Sequence, residues 1–384
     1  MKFDKSMRKN LKEFDALIVG AGPVGCVLAE RLANNNNFKC LIIDKRSHIA
    51  GNCFDEKNKK KLLYHKYGPH YLRFKNKKTF NYMSKFTKWV KGKYYVKSLI
   101  KKKKYPFPLN LETFELFFNQ KFKTKKNLLD FLEKKKVKIL NPKNSEELIL
   151  SKVGYEIYNA FYKNYTIKQW GIHPKKLPKE IVGRIPIRFN RDQRYVNEKI
   201  QVMPKDGYTN MFSNMIKHKN ITLMLNTDYQ KIKKIIKSYK LIIYTGCPDE
   251  FFNYRYGKLE WRSLKFNFKT YKKNFMQDCV QYNYPNEKKF TRSVEIKHVT
   301  KQKSNYTVIS KEYPKSGGEP YYPINTTRNL NLYKKYKKLM KTQEKKNNIF
   351  FEGRLASYKY LNTDEVIEKA LALHKKIDKI FLNK

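Results

Sequence analysis

Four apolar residues, Ala16 to Val19, run into Gly20-Ala21-Gly22-Pro23-Val24-Gly25, and a helix-like segment follows as far as Leu32. A second apolar run, Cys40 to Ile43, ends on Asp44. The predicted order is strand, glycine turn, helix, strand, acid. In such a unit the first glycine permits the tight turn, the second lets backbone N–H groups approach a pyrophosphate, and the third lets the helix pack closely on the strand. The positive end of the helix faces the phosphates, and the acid stands where a carboxylate accepts ribose hydroxyls. The glycine spacing alone is a weak sign; with its flanking strand, helix and acid it predicts a dinucleotide site.

Elsewhere the pattern changes period. From Leu111 to about Tyr165 apolar residues recur at three and four (Phe114, Phe117, Phe118; Leu128, Leu129, Phe131, Leu132; Ile149, Val153, Ile157, Phe161), which predicts an inserted block of amphipathic helices. Lys78 to Tyr95 has mixed helical spacing, and Tyr105 to Leu109 is a proline-set, extended entry to that block. Between Lys265 and Ile309, alternating aromatic-rich runs predict an antiparallel sheet. Thr222 to Leu225, Leu241 to Tyr244 and Asn348 to Phe351 read as further strands, and Asp364 to Leu382 as a terminal helix. The layout is α/β. A discontinuous nucleotide domain (13–80, 203–248, 348–384) carries a helical domain (81–182, with a mobile loop near 166–178) and a sheet domain (183–202, 249–347), after an extension over 1–12.

Composition narrows the class. Hydrophobic residues make up 40% of 384, enough for a globular core, and no apolar run approaches the roughly 18 residues of a membrane span. The charged N-terminus has no apolar signal region, and the five cysteines show no metal-ligand spacing; both point to a cytoplasmic protein with reduced thiols. A net charge of +52 invites a nucleic-acid reading. The lysines are spread over nearly every segment, so a lysine-rich composition is the favoured explanation, and a positive field still draws in anionic substrates.

Five clusters lie outside the glycine unit: Tyr165 to Gly171, Gly183 to Phe189 with Tyr195 after it, Phe290-Thr291-Arg292, Glu319 to Pro323, and Gly353 to Tyr360. On its residues alone Trp170 is either a surface anchor or core plug, or a mobile lid whose ring covers a planar or sugar ligand. Arg184, flanked by apolar residues and followed by Pro186, is either solvated or an oriented phosphate clamp.

Together, as YTIKQWG, GRIPIRF, FTR, EPYYPIN and GRLASYKY beside DKRSHIAGN, these clusters resemble the bacterial type of UDP-galactopyranose mutase over nearly the whole chain from Phe14. The resemblance implies a Rossmann-like domain binding FAD through Gly20, Gly22, Gly25, Asp44, Lys45, Arg46, Gly51 and Asn52, with His70, Gly353 and Arg354 near the flavin ring. It implies Phe161, Tyr165 and Thr166 at the uridine, Trp170 on a closing loop, Arg184 and Arg292 on the diphosphate, and Tyr195, Tyr322 and Tyr360 on phosphate and sugar. Arg184, Arg292 and His70 are then the catalytic candidates. The implied reaction interconverts UDP-galactopyranose and UDP-galactofuranose for cell-surface polysaccharide, through a covalent adduct of the sugar on N5 of reduced flavin. A reductant such as NAD(P)H keeps the flavin active, and the enzyme is a homodimer.

Two departures stand out. Arg73 replaces the second histidine usual in that family, and Leu361-Asn362 replaces a tyrosine and an aspartate. Arg73 either admits UDP-N-acetylgalactosamine or merely meets phosphate or solvent. The rival readings are a flavin amine oxidase or desaturase, and a basic nucleic-acid-binding protein.

Overall fold

Ala16, Leu17 and Ile18 bring no polar side chain to satisfy, so the first strand can be covered on both faces, as a parallel sheet requires. Ala16–Val19 is the central strand of a five-stranded parallel sheet, between Cys40–Ile43 and Leu241–Tyr244, with Ile221–Met224 and Ile349–Phe351 at the edges. Alternation sends Ala16, Ile18, Cys40, Ile42, Leu241 and Ile243 to one face, where helices Pro23–Asn35 and Thr363–Leu382 cover them. Leu17, Leu41 and Ile43 pack on the other face with Ile232. Each fully buried aliphatic chain of this kind contributes roughly 1.5–3 kcal/mol. The computed structural model describes residues 13 to 233 and 239 to 382; the extension over 1–12 lies outside them.

The helical block is built as its period predicts. Helices Leu111–Phe118, Lys125–Lys135 and Ser145–Ile157 start on Asn110, Thr124 and Asn144, each of which caps backbone N–H groups with its side chain. Phe114, Leu128, Leu132, Ile149, Val153, Ile157 and Phe161 form their shared core, while Leu129 faces solvent. Gly154 breaks the third helix at φ +77°, and a Cβ there would meet the Lys135 carbonyl oxygen at 2.1 Å. Only glycine lets the two helices approach at that point.

A seven-stranded sheet forms the remaining wall, in the order Tyr322–Pro323, Trp261–Tyr271, Thr307–Ser316, Arg292–Val294, Gln281–Asn283, Val96–Ile100, Lys103–Phe107. It is antiparallel except where Gln281–Asn283 runs parallel to Val96–Ile100. Its last hairpin comes from residues assigned by pattern to the helical domain. Val96, Ser98 and Ile100 alternate inward, but the lysines at 101–104 mask the period. Conversely Ile200–Pro204, which straddles the expected boundary at 202 between the sheet and nucleotide domains, pairs with Leu72–Phe74 and Trp89–Lys91 in a separate three-stranded sheet. The 21-residue helix Thr327–Asn347 has no counterpart in the sequence reading, because only Asn329, Tyr336 and Met340 of its residues are buried. Among the described residues no helix is long and apolar enough to cross a membrane.

Candidate active site

The turn Gly20–Gly25 opens on a cavity of about 460 Å³ at the ends of the parallel strands. The three glycines differ in what they avoid. Gly20 has φ +111° and an added Cβ would fall 2.0 Å from Thr245 Oγ1. At Gly25 a Cβ would stand 1.9 Å from the Gly20 carbonyl oxygen, so this residue serves helix–strand packing and does not line the cavity. At Gly22 the nearest atom is the Gly51 Cα at 3.7 Å, an ordinary contact. No neighbour within the protein requires a glycine there, and Gly22 lines the cavity. Helix Pro23–Asn35 has no side-chain cap at Gly22, which leaves its first-turn N–H groups for an anionic ligand.

Asp44 closes the same cavity. Its two oxygens accept from the backbone N–H of Ala21 (2.8 Å) and of Arg46 (2.9 Å). Arg46 donates to Asn52 Oδ1 and to Glu319 Oε2, each at 2.9 Å, so it is braced by the protein. Lys45, Gly51 and Gly353 also line this space, and Gly353 takes φ +112°.

A second cavity, also of about 460 Å³, lies between the helical block and the seven-stranded sheet. Asn52, His70, Arg354 and Thr363 line both. A ligand in the first cavity therefore shows one end to a ligand in the second. At this junction burial, aided by the Arg354 charge and by His65, drives the His70 pKa down to about 3, so its imidazole is neutral. Its Nδ1 lies 3.0 Å from the Gly68 carbonyl, which can only accept, so the proton sits on Nδ1 and Nε2 keeps a lone pair. Arg354 donates from Nε and Nη2 to the Leu361 carbonyl at 3.2 and 2.8 Å.

Phe161, Tyr165, Thr166 and Trp170 line one side of the second cavity. Trp170 ends the helix Asn164–Trp170, where a loop was expected, and packs with Leu177, Leu264, Tyr321 and Tyr322. It is both core and cavity wall. Tyr195 lines the cavity near Tyr71, the two ring centroids 6.3 Å apart. Arg73 lines it too, with Nε 3.2 Å from Glu198 Oε1. Asn362 donates to Glu365 at 2.9 Å.

The cationic groups converge opposite. Arg292 lies 3.0 Å from Glu312, its cross-strand partner in register, and 3.5 Å from the Tyr322 hydroxyl. Burial opposes the charge on both Arg184 and Arg292, but the negative charge offered by Tyr360 to the first and by Glu312 to the second outweighs it. Glu312 was not found by motif. Its only signal is a lone acid in the aromatic, lysine-rich strand facing Arg292. Gln169, which lines the cavity with its side chain beside Glu312, gave no chemical signal either.

Tyr360 is the titratable centre of this group. Arg184 sits over its ring at 3.7 Å and Arg354 at 4.8 Å, and Tyr322 stacks with it at 5.3 Å. Burial raises its phenol, yet Arg184, Arg354 and Arg292 together bring it down to about 8. Above that pH a phenolate occupies the arginines. Any anionic ligand that takes these arginines must then restore the proton as it binds, so its affinity falls as pH rises, by up to about tenfold per unit. Calorimetric titration with inorganic pyrophosphate between pH 7 and 9 is expected to show this slope in the wild-type protein and a flat profile in Tyr360→Phe.

Comparison with known proteins fits this geometry. The sequence profile of UDP-galactopyranose mutases matches residues 160 to 360, and that of NAD(P)-binding Rossmann-like domains matches residues 18 to 86. The chain is 37% identical to a probable UDP-galactopyranose mutase of Klebsiella pneumoniae over 92% of both proteins. It is 33% identical to a dTDP-fucopyranose mutase of Escherichia coli, covering 92% of this chain and 96% of the relative. A crystal structure of reduced UDP-galactopyranose mutase superposes with a TM-score of 0.75 at 14% identity, over 96% of this chain and 94% of the other, which shows the shared fold. Putrescine oxidase shares it more distantly, with a TM-score of 0.55 at 11% identity over 95% of this chain and 99% of the oxidase. By profile and by identity over nine-tenths of its length, the chain belongs to the UDP-galactopyranose mutase family.

Proposed function

We propose that this isomerase binds FAD in the first cavity and interconverts UDP-galactopyranose and UDP-galactofuranose in the second. The observation that carries the reading is the junction itself: a dinucleotide cradle opens, at His70 and Arg354, into a pocket lined by Arg184, Arg292 and several tyrosines. The residues present fit the cofactor. Gly22 leaves room for a pyrophosphate, the uncapped helix offers N–H donors, and Asp44 offers a carboxylate for ribose. Bound and reduced, the flavin supplies the nucleophile, so the chain needs no Ser/His/Asp set of its own.

The protein's share is position and charge. Arg184 and Arg292 carry the negative charge that grows on the diphosphate as the bond to the anomeric carbon breaks, and the same groups return it when the bond re-forms. Tyr322 and Tyr360, stacked beside them, hold the diphosphate and the sugar. Tyr165 and Phe161 offer rings to the uracil. Neutral His70 accepts a hydrogen bond through Nε2 without adding a competing cation. Trp170 and its apolar neighbours exclude water from the reacting bond.

A second reading concerns the sugar. Arg73 gives the pocket a cationic donor, partly spent on Glu198, which suits an N-acetyl carbonyl as acceptor. The relative named for dTDP-fucopyranose makes the nucleotide a variable as well. Chromatography after incubating dithionite-reduced protein with UDP-galactose, UDP-N-acetylgalactosamine and dTDP-fucose, each as pyranose, tests all three. A pyranose-to-furanose change of UDP-galactose without net consumption of reductant is expected. No interconversion by yellow, folded protein would sink the proposal, and acceptor-dependent oxidation would favour the amine-oxidase alternative.

A further inference from the structure

Two opposing walls of the second cavity come from distant parts of the chain, the helix Asn164–Trp170 and the strand Arg292–Val294. Their separation fixes how a ligand touches Trp170 and Arg292 at once. Side chains already assigned to the site do not set it. Lys168, on that helix, does not line the cavity and points the other way.

Its ammonium donates to the backbone carbonyls of Tyr284, Lys288 (2.9 Å) and Phe290 (3.4 Å), the turn that leads directly into Thr291 and Arg292. An ammonium has three donors, and all three are engaged by one turn. The turn is closed on the sheet side by Tyr284 N–H to the Thr291 carbonyl (2.8 Å), and Thr291 N–H donates to the Glu312 carbonyl at 2.9 Å. The chain of contacts therefore runs from the Trp170 helix through Lys168 to the backbone that carries Arg292 and its counterion. A second cation works from the sheet. Arg262, buried, donates to the carbonyls of Lys168 and Gln169, each at 3.2 Å, at the negative end of the helix. Gly171 makes room for it, since a Cβ there would lie 2.9 Å from Arg262 Nη1.

We propose that Lys168 is a positioning residue that sets the distance between the Trp170 helix and the Arg292 strand, and with it the width of the pocket that takes a nucleoside diphosphate. This rests on reading the second cavity as the substrate site. Loss of the ammonium leaves the carbonyls of one turn without their shared donor, and the turn drifts from the helix while the cofactor cavity is untouched.

The test compares Lys168→Met, Lys168→Arg and the exposed control Lys175→Met in flavin-loaded protein, using the Kd for UDP by calorimetry and steady-state kinetics. In Lys168→Met, Kd and KM are expected to rise about tenfold, the scale of one hydrogen bond to a charged group. Its flavin content stays near wild type, while kcat falls because the turn that carries Arg292 is displaced. Lys168→Arg, which keeps charge and several donors, recovers to within about threefold of wild type. Lys175→Met, with the same change of net charge, leaves Kd unmoved. A drop in thermal midpoint with Kd and KM unchanged means a merely structural role and overturns the proposal. Should Lys168→Met not fold, Lys168→Gln, uncharged and with two N–H donors on a shorter side chain, carries the same test. If wild-type protein binds no UDP, the substrate-site reading falls and this proposal with it; unchanged UDP binding in the variant sinks the proposal alone.

Discussion

Arg292→Ala is expected to lower kcat about a thousandfold, the scale seen when one preorganised donor to a developing oxyanion is lost. Arg292 stands in a buried pocket, where its charge is screened far less than in water. Its removal also strands Glu312. A buried carboxylate left without its partner costs about 3–5 kcal/mol, though Glu312 can shed part of that by protonating, since burial already holds its carboxyl above the usual range. The informative comparison is therefore Arg292→Ala with Glu312→Gln in the same chain. Folded, yellow protein with no turnover assigns the loss to the missing guanidinium. Wild-type kcat in that double variant would remove Arg292 from the mechanism.

The glycine turn provides the second large effect, and its members should separate. In Gly25→Ala the new methyl overlaps the Gly20 carbonyl. Backbone cannot retreat as a side chain can, so a stability loss of about 3–5 kcal/mol, of the size reserved for such clashes, is expected, with little soluble protein. At Gly22 an added Cβ meets only the backbone of Gly51, at 3.7 and 4.0 Å, so the branch point of Gly22→Val brings no such clash. That variant should fold with an apo-like thermal midpoint and lack the flavin absorbance band. Yellow Gly22→Val protein would show that the pyrophosphate does not pass over Gly22, and normally stable Gly25→Ala would contradict the packing role.

These two cases also show what the sequence could and could not reveal. The parallel sheet was legible because its strands are uninterrupted apolar runs bounded by glycine and acid. The helical block was legible because Phe114, Leu128, Ile149 and Val153 keep a strict period. Val96–Ile100 and Lys103–Phe107 were not, because a lysine run hides the alternation of their hairpin and the pairing of Val96–Ile100 with Gln281–Asn283 is long-range. Thr327–Asn347 stayed hidden since a mostly solvated helix needs few apolar residues. In the site, motifs identified Arg184, Arg292 and Tyr360. Glu312, Glu198 and Lys168 act through register and packing, which local spacing does not encode.

The pairing of Ala16–Val19 with Leu241–Tyr244, and of that strand with Ile349–Phe351, has a consequence for how the molecule is made. The first βαβ hairpin of the chain can form locally, but the floor on which a cofactor rests is completed only when segments emerging much later on the ribosome dock beside it. Such long-range closures are slow. Cofactor capture therefore comes near the end of maturation, after the late strands have docked, and cells short of the cofactor would accumulate a chain whose sheet is closed around an empty cradle.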